Sequence, residues 1–319
     1  MYLIESIITK WLHSDAYAFK ELHRVWERAR HVEKVLRVVW ESVTPWHSRA
    51  VQEFRPVLVA SGGLARGEIY PKSDVDVRVI YSGSITGSDR LAILARLLDG
   101  LQCKLRGFKW LACPALIGIE EALRLARLES EFFSALLEAR VIAGNIDTFL
   151  AFEDKFWSQC VKEIRDKYLW TRIEDRRVRI KSLDTVTPIL GVNIKRGIGG
   201  MLDFWDLLWS NYVMFGSWDI GLLADKKLLT GDELKWLLRA YIFLVRVREH
   251  LHRFALPERD SIESSIVEDL ATALGYKGPQ KAAQFNHDLR RIMSGIARIT
   301  LKVQLMLVKK DFSTRGCVF

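Results

Sequence analysis

The chain has 319 residues, 49% of them apolar and 27% charged, with eleven Trp and fifteen Phe, which is ample material for a globular core. No apolar run approaches the ~20 residues of a membrane span, and an early Glu5 with no basic stretch before it argues against a secretory leader. A net charge of +9 admits nucleotide, nucleic-acid or acidic-protein partners.

Residues 1–50 read as helical. Ala18, Leu22, Val25, Trp26, Ala29, Val32, Leu36, Val39 and Trp40 keep a 3.6-residue rhythm, and Pro45 and Pro56 end it. An apolar run from Val57 to Ala60 then reads as a strand. It leads through Ser61 into Gly62-Gly63, a short helical turn and a loop, and a second strand starts at Asp74-Val75-Asp76 and continues through Tyr81. A helix starts at Ser88-Asp89, carries a Leu91, Leu94, Leu97, Leu98, Leu101 stripe and stops near Gly107, and 108–113 reads as a third strand before Pro114. From there the pattern is helical: 119–128, 131–143, a long helix over 147–180 with the basic run Arg172, Arg176, Arg177, Arg179 and Lys181, a loop over 185–200, then helices at 201–214, 231–255 and 279–310. The basic run is expected to form a solvated helix face, or else to steer an acidic partner or RNA. Cys103, Cys113, Cys160 and Cys317 are scattered, with no Cys-x-x-Cys pair, which argues against zinc and against a disulfide framework and agrees with a cytoplasmic location.

The chemistry concentrates between residues 61 and 76. Asp74 and Asp76 lie two apart at a strand start, so their side chains share one face. Two carboxylates facing a glycine turn with free backbone N–H groups suit Mg²⁺ (or Mn²⁺) and a triphosphate.

The pattern Gly62-Gly63-x-x-Arg66-Gly67-Glu68-x-x-Pro71-x-Ser73-Asp74-Val75-Asp76 resembles the nucleotidyltransferase signature of the bacterial PII uridylyltransferase/uridylyl-removing family, and is similar to that of the glutamine synthetase adenylyltransferases. Both lie in the DNA-polymerase-β-like superfamily. Three later stretches resemble the same family: Leu136 to Gly144, taken as the helix after the catalytic sheet; Asn193 to Asp203, taken as its Asn-Leu-Lys-x-Gly-x-Gly-Gly-Leu-Arg-Asp loop; and Phe243 to His252 on a later helix.

The resemblance implies an α+β fold: a small mixed β-sheet nucleotidyltransferase core over 51–145, with an N-terminal helical segment over 1–50 and a C-terminal helical domain over 146–319. It implies transfer of UMP or AMP from an NTP to a protein hydroxyl, with Asp74 and Asp76 as catalytic residues and metal ligands. Ser61, Gly62, Gly63, Arg66, Ser73 and Lys195 would contact the nucleotide, and Asp203 would cap or orient the loop that holds Lys195. His250 and His252 are expected in helical packing or at the surface. The family's hydrolase and ACT sensor domains find no counterpart in these 319 residues. The superfamily's third carboxylate also finds none: the matching stretch, 109–114, has Leu111 at that place, and the nearest acids are Asp99 and Glu120. Two other readings therefore stand beside a nucleotidyltransferase: a catalytically impaired nucleotide-binding regulatory protein, and a nucleic-acid nucleotidyltransferase.

Overall fold

The computed structural model describes residues 2–12, 16–45, 47–83, 88–106, 115–254 and 260–314. It is α+β, chiefly helical, and forms two compact units: residues 1–5 with 24–164, and residues 6–23 with 165–319. Helix α1 (Leu3–Leu12) and helix α2 (Ala16–Val43) each supply residues to both units. The rhythm read along α2 faces the interior: from Leu22 to Trp40, each of its apolar positions is at most 5% exposed.

The first unit holds a four-stranded mixed sheet. After α3 (Arg49–Phe54) come β1 (Val57–Ala60), a short helix α4 (Gly62–Arg66), β2 (Val77–Tyr81), α5 (Ser88–Arg106), β3 (Ala115–Gly118), α6 (Ile119–Leu128), α7 (Ser130–Leu137) and β4 (Arg140–Gly144). The strand order is β3-β2-β1-β4. β1 runs antiparallel to β2, with Ala60 opposite Val77, and antiparallel to β4, with Ala60 opposite Arg140, while β2 and β3 are parallel.

One expectation changes here. Residues 140–144 form a strand, not the end of a helix over 131–143, so the stretch from Leu136 to Gly144 is only partly helical. The physical reason lies in β1, whose four residues are fully buried. A buried central strand needs backbone partners on both edges, and the β-branched Val141-Ile142 pair supplies the second one. The described third strand is 115–118; the expected strand at 108–113, with Leu111 and Cys113, lies outside the described residues.

The chain then stays helical through α8 (Ile146–Lys155), one π-helical stretch (Phe156–Val161) and α9 (Lys162–Leu190), which runs past Pro188 where a loop was expected from 185. Cys160 packs inside the π-helical stretch, and burial pushes its thiol up to about 11, as suits a packing residue. Cys103 is exposed; Cys113 and Cys317 lie outside the described residues.

The second unit continues with β5 (Val192–Asn193), α10 (Met201–Phe215), α11 (Leu222–Asp225), α12 (Gly231–Leu251), β6 (Ser261–Ile262), α13 (Val267–Ala273) and α14 (Lys281–Thr314). β5 and β6 pair antiparallel. α10 is buried nearly all round, so it is the core helix of this unit. Phe204 stacks on Tyr241 at 3.9 Å between ring centroids, and Trp205 Nε1 donates to the Tyr241 hydroxyl at 2.8 Å. A capping box between Thr230 and Glu233 starts α12.

Candidate active site

At the end of β1 the ladder continues one step further, with Ser61 N donating to Asp76 O at 3.0 Å. This bond sets the glycine turn beside the aspartates. Gly62 has a φ of +55°, and a Cβ built there would meet Asp76 Oδ2 at 2.8 Å. Glycine is required both for that backbone conformation and for the carboxylate's close approach. Gly62→Ala is therefore expected to cost about 1–2 kcal/mol of stability. It should also displace the Asp76 carboxylate, which a titration with Mn²⁺ reads as weaker binding.

Along the entry to β2, Asp74 is exposed, Val75 buried, Asp76 exposed and Val77 buried. Val75 and Val77, each 1% exposed, anchor the segment in the core, and the two carboxylates share the opposite face. Ser73 Oγ accepts from Tyr70 N at 2.9 Å while Ser73 N donates to Tyr70 O at 3.0 Å, a reciprocal turn that fixes the approach to Asp74.

Two residues read as nucleotide contacts have other engagements. Arg66 is buried: its Nε donates to Glu68 at 2.7 Å and its Nη1 reaches both oxygens of Glu138, at 2.8 and 2.6 Å. Burial alone would lower its pKa, but the charges of Glu138 and Glu68 outweigh it and the pKa is raised. The guanidinium thus ties the helical turn to the end of α7. Ser61 is 1% exposed, and its Oγ accepts from Arg78 Nη1, so it positions that arginine rather than facing solvent.

Sequence reading missed Arg78. It stands two residues beyond Asp76, so the alternation that pairs Asp74 with Asp76 puts Arg78 on the same face. Its guanidinium lies 5.2 Å from the centroid of Phe132. Burial pushes its pKa down, against the opposing pull of Asp76.

Lys195 is not among the residues that the first unit brings together; it stands in a loop of the second. There Asn193 Oδ1 accepts from Lys195 N at 3.1 Å and from Arg196 N at 2.7 Å, an Asx turn. Gly199, at a φ of +70°, lies so close to Met293 that a Cβ would overlap its carbonyl oxygen. Asp203, fully buried, accepts from Gly199 N at 2.9 Å and orients the loop as expected.

The basic run on α9 is not a solvated face. Arg176 Nε reaches Asp203 at 3.1 Å, Arg179 Nη2 reaches Asp203 at 2.8 Å, and Arg172 Nε reaches Asp206 at 2.8 Å. Arg172 and Arg176 are themselves buried. Burial pushes the Asp206 carboxyl up to about 6, even with the Arg172 and Arg179 charges pulling it down. Arg177 and Lys181 keep the expected exposed position, Arg177 loosely paired with Glu174 at 3.8 Å.

Residues 167–303 match the family model of the GlnD PII-uridylyltransferases. The chain is 27% identical over 256 residues, 79% of its length, to the bifunctional uridylyltransferase/uridylyl-removing enzyme of Novosphingobium aromaticivorans. It is 28% identical over 273 residues, 84% of its length, to the enzyme of the same name from Cereibacter sphaeroides. The chain is thus similar to the PII uridylyltransferases over most of its length. It spans 28% and 29% of those two enzymes' own lengths.

The similarity to the uridylyltransferases reaches beyond the glycine turn into the second unit. The His250-x-His252 pair of α12 separates there: His252 is buried, its Nε2 3.1 Å from Asp260 Oδ1, while His250 is half-buried. Arg248 donates to both oxygens of Asp260, at 2.6 and 3.2 Å. These are packing and ion-pair roles, as expected for the histidines. No group of three or more metal-ligating side chains occurs among the described residues. Asp74 and Asp76 fit Mg²⁺ bound through one or two carboxylates together with substrate phosphates.

Proposed function

We propose that the chain is a nucleotidyltransferase that binds an Mg²⁺–NTP at Asp74 and Asp76 and transfers UMP or AMP to a protein hydroxyl. The observation that supports this reading is the exposed face shared by the two carboxylates, with Asp76 packed against Gly62. An acceptor hydroxyl would displace pyrophosphate from the α-phosphorus, and the chain's part is chiefly to position the groups. Asp74 and Asp76 would hold the metal, whose chemistry is neutralisation of triphosphate charge. Gly62 and Gly63 let the nucleotide approach the backbone, and Ser73 fixes the aspartate loop.

The sequence motivates a second reading, a nucleotide-binding regulatory protein without turnover: the stretch matching the third carboxylate of the resemblance, 109–114, has Leu111 at that place. The nucleic-acid reading rests on net charge and superfamily, and Arg172, Arg176 and Arg179 add nothing to it, being engaged by Asp203 and Asp206. No helix among the described residues is long and apolar enough to cross a membrane.

Calorimetric titration with Mg–UTP and Mg–ATP tests the reading. Saturable binding of one of them, abolished by EDTA, is expected, and pyrophosphate release with label on a protein acceptor separates turnover from binding alone. A chain that binds neither nucleotide is not a nucleotidyltransferase.

A further inference from the structure

Arg78 is costly where it stands. It carries five N–H donors, and among the described residues its hydrogen bonding is limited to Ser61 Oγ, with no ion pair. A half-buried guanidinium gives up hydration that one hydroxyl and one aromatic face replace only in part. A purely structural role at this place would be filled equally well by an unbranched apolar side chain lying over Phe132. The position is also specific. Arg78 lies on the face of Asp74 and Asp76, is held by the residue immediately before the glycine turn, and is close enough to Asp76 for the two charges to interact.

We propose that Arg78 is a phosphate-binding residue: its guanidinium, held by Ser61 beside Asp76, takes an oxygen of the nucleotide's phosphates. This rests on the proposal that Asp74 and Asp76 bind Mg–NTP, and it moves the role expected of Arg66 to another arginine. The planar guanidinium suits a phosphate, which satisfies two of its N–H groups at once. In a site with two carboxylates, a fixed cation on the aspartate face supplies positive charge that does not depend on a second metal ion.

The test uses the full chain with Arg78→Met, Arg78→Gln and Arg78→Lys, each checked by thermal denaturation. Calorimetry follows Mg–UTP and Mg–ATP, and electron paramagnetic resonance follows Mn²⁺ alone. Arg78→Met is expected to bind Mg–nucleotide about tenfold more weakly, the loss of one charge-assisted contact. It should bind Mn²⁺ alone at least as tightly as the unmodified chain, because a positive charge beside Asp76 has gone. Arg78→Lys should recover part of the nucleotide affinity. If Arg78→Met does not fold, Arg78→Gln is judged by the same two readouts.

Unchanged nucleotide affinity in the neutral variant overturns the assignment of Arg78 and leaves Asp74 and Asp76 as the nucleotide site. Parallel loss of Mn²⁺ and nucleotide binding, not restored by lysine, also overturns it, since that pattern marks packing. An unmodified chain that binds no nucleotide overturns both proposals.

Discussion

Asp74→Asn or Asp76→Asn is expected to lower nucleotidyl transfer by at least about a thousandfold, on the order of what removing a principal electrostatic group at a reacting centre costs. Both carboxylates are exposed, so the fold should be nearly unaffected, with stability within about 0.5 kcal/mol of the unmodified chain. The two variants need not behave alike. Asp76 touches the glycine turn and interacts with Arg78, so its amide loses metal affinity and removes a counter-charge at once. Asp74 stands farther along the loop that Ser73 and Tyr70 fix. Labelled transfer from α-³²P-UTP or ATP, measured beside Mn²⁺ affinity, checks both, and wild-type transfer in either variant would refute the site.

Asp203→Ala is expected to lower stability by about 3–5 kcal/mol, because it strands buried positive charge and an N–H that the carboxylate now satisfies. Three partners lose one acceptor each: Arg176, Arg179 and Gly199 N. The loop around Lys195 should loosen with it. Arg177→Ala, only two residues from Arg179 in the sequence, is expected to change stability by no more than about 0.5 kcal/mol, because its side chain is 68% exposed and its pairing loose. Chemical denaturation of the two variants side by side measures the contrast. Equal and small effects would show that the cluster is not a structural centre.

Much of this was legible because it is local. The rhythm of α2, the strand–glycine–aspartate order and the Asp74/Asp76 face depend on spacings of two to four residues, which side-chain periodicity reveals directly. Errors arose where partners are distant. The buried pairing of Arg66 with Glu138 is not legible locally, because the two stand 72 residues apart. Arg172, Arg176 and Arg179 carry the four-then-three spacing of a single helix face, and Asp203 and Asp206 a matching spacing of three. That complement can be seen in the sequence, but pairing the two helices requires the fold. β4 was read as helix because the short apolar run Val141-Ile142-Ala143 fits either period, and its strand character comes from the unsatisfied edge of β1. Arg78 was the avoidable omission, being one alternation past a pair already noted.

The two units also bear on how the molecule could be divided. Neither is one continuous stretch of chain: residues 6–23 belong with 165–319, and residues 1–5 with 24–164. Each changeover falls inside a helix. A fragment stopped at residue 164 would carry Ile7, Ile8, Leu12 and Leu22, all buried in the whole chain, without the rest of the unit that they help to form. A fragment begun at 165 would lack that same strip of its interior. Terminal truncation is thus a poor route to the isolated nucleotide core. Supplying residues 6–23 through a rearranged chain order is the cleaner one.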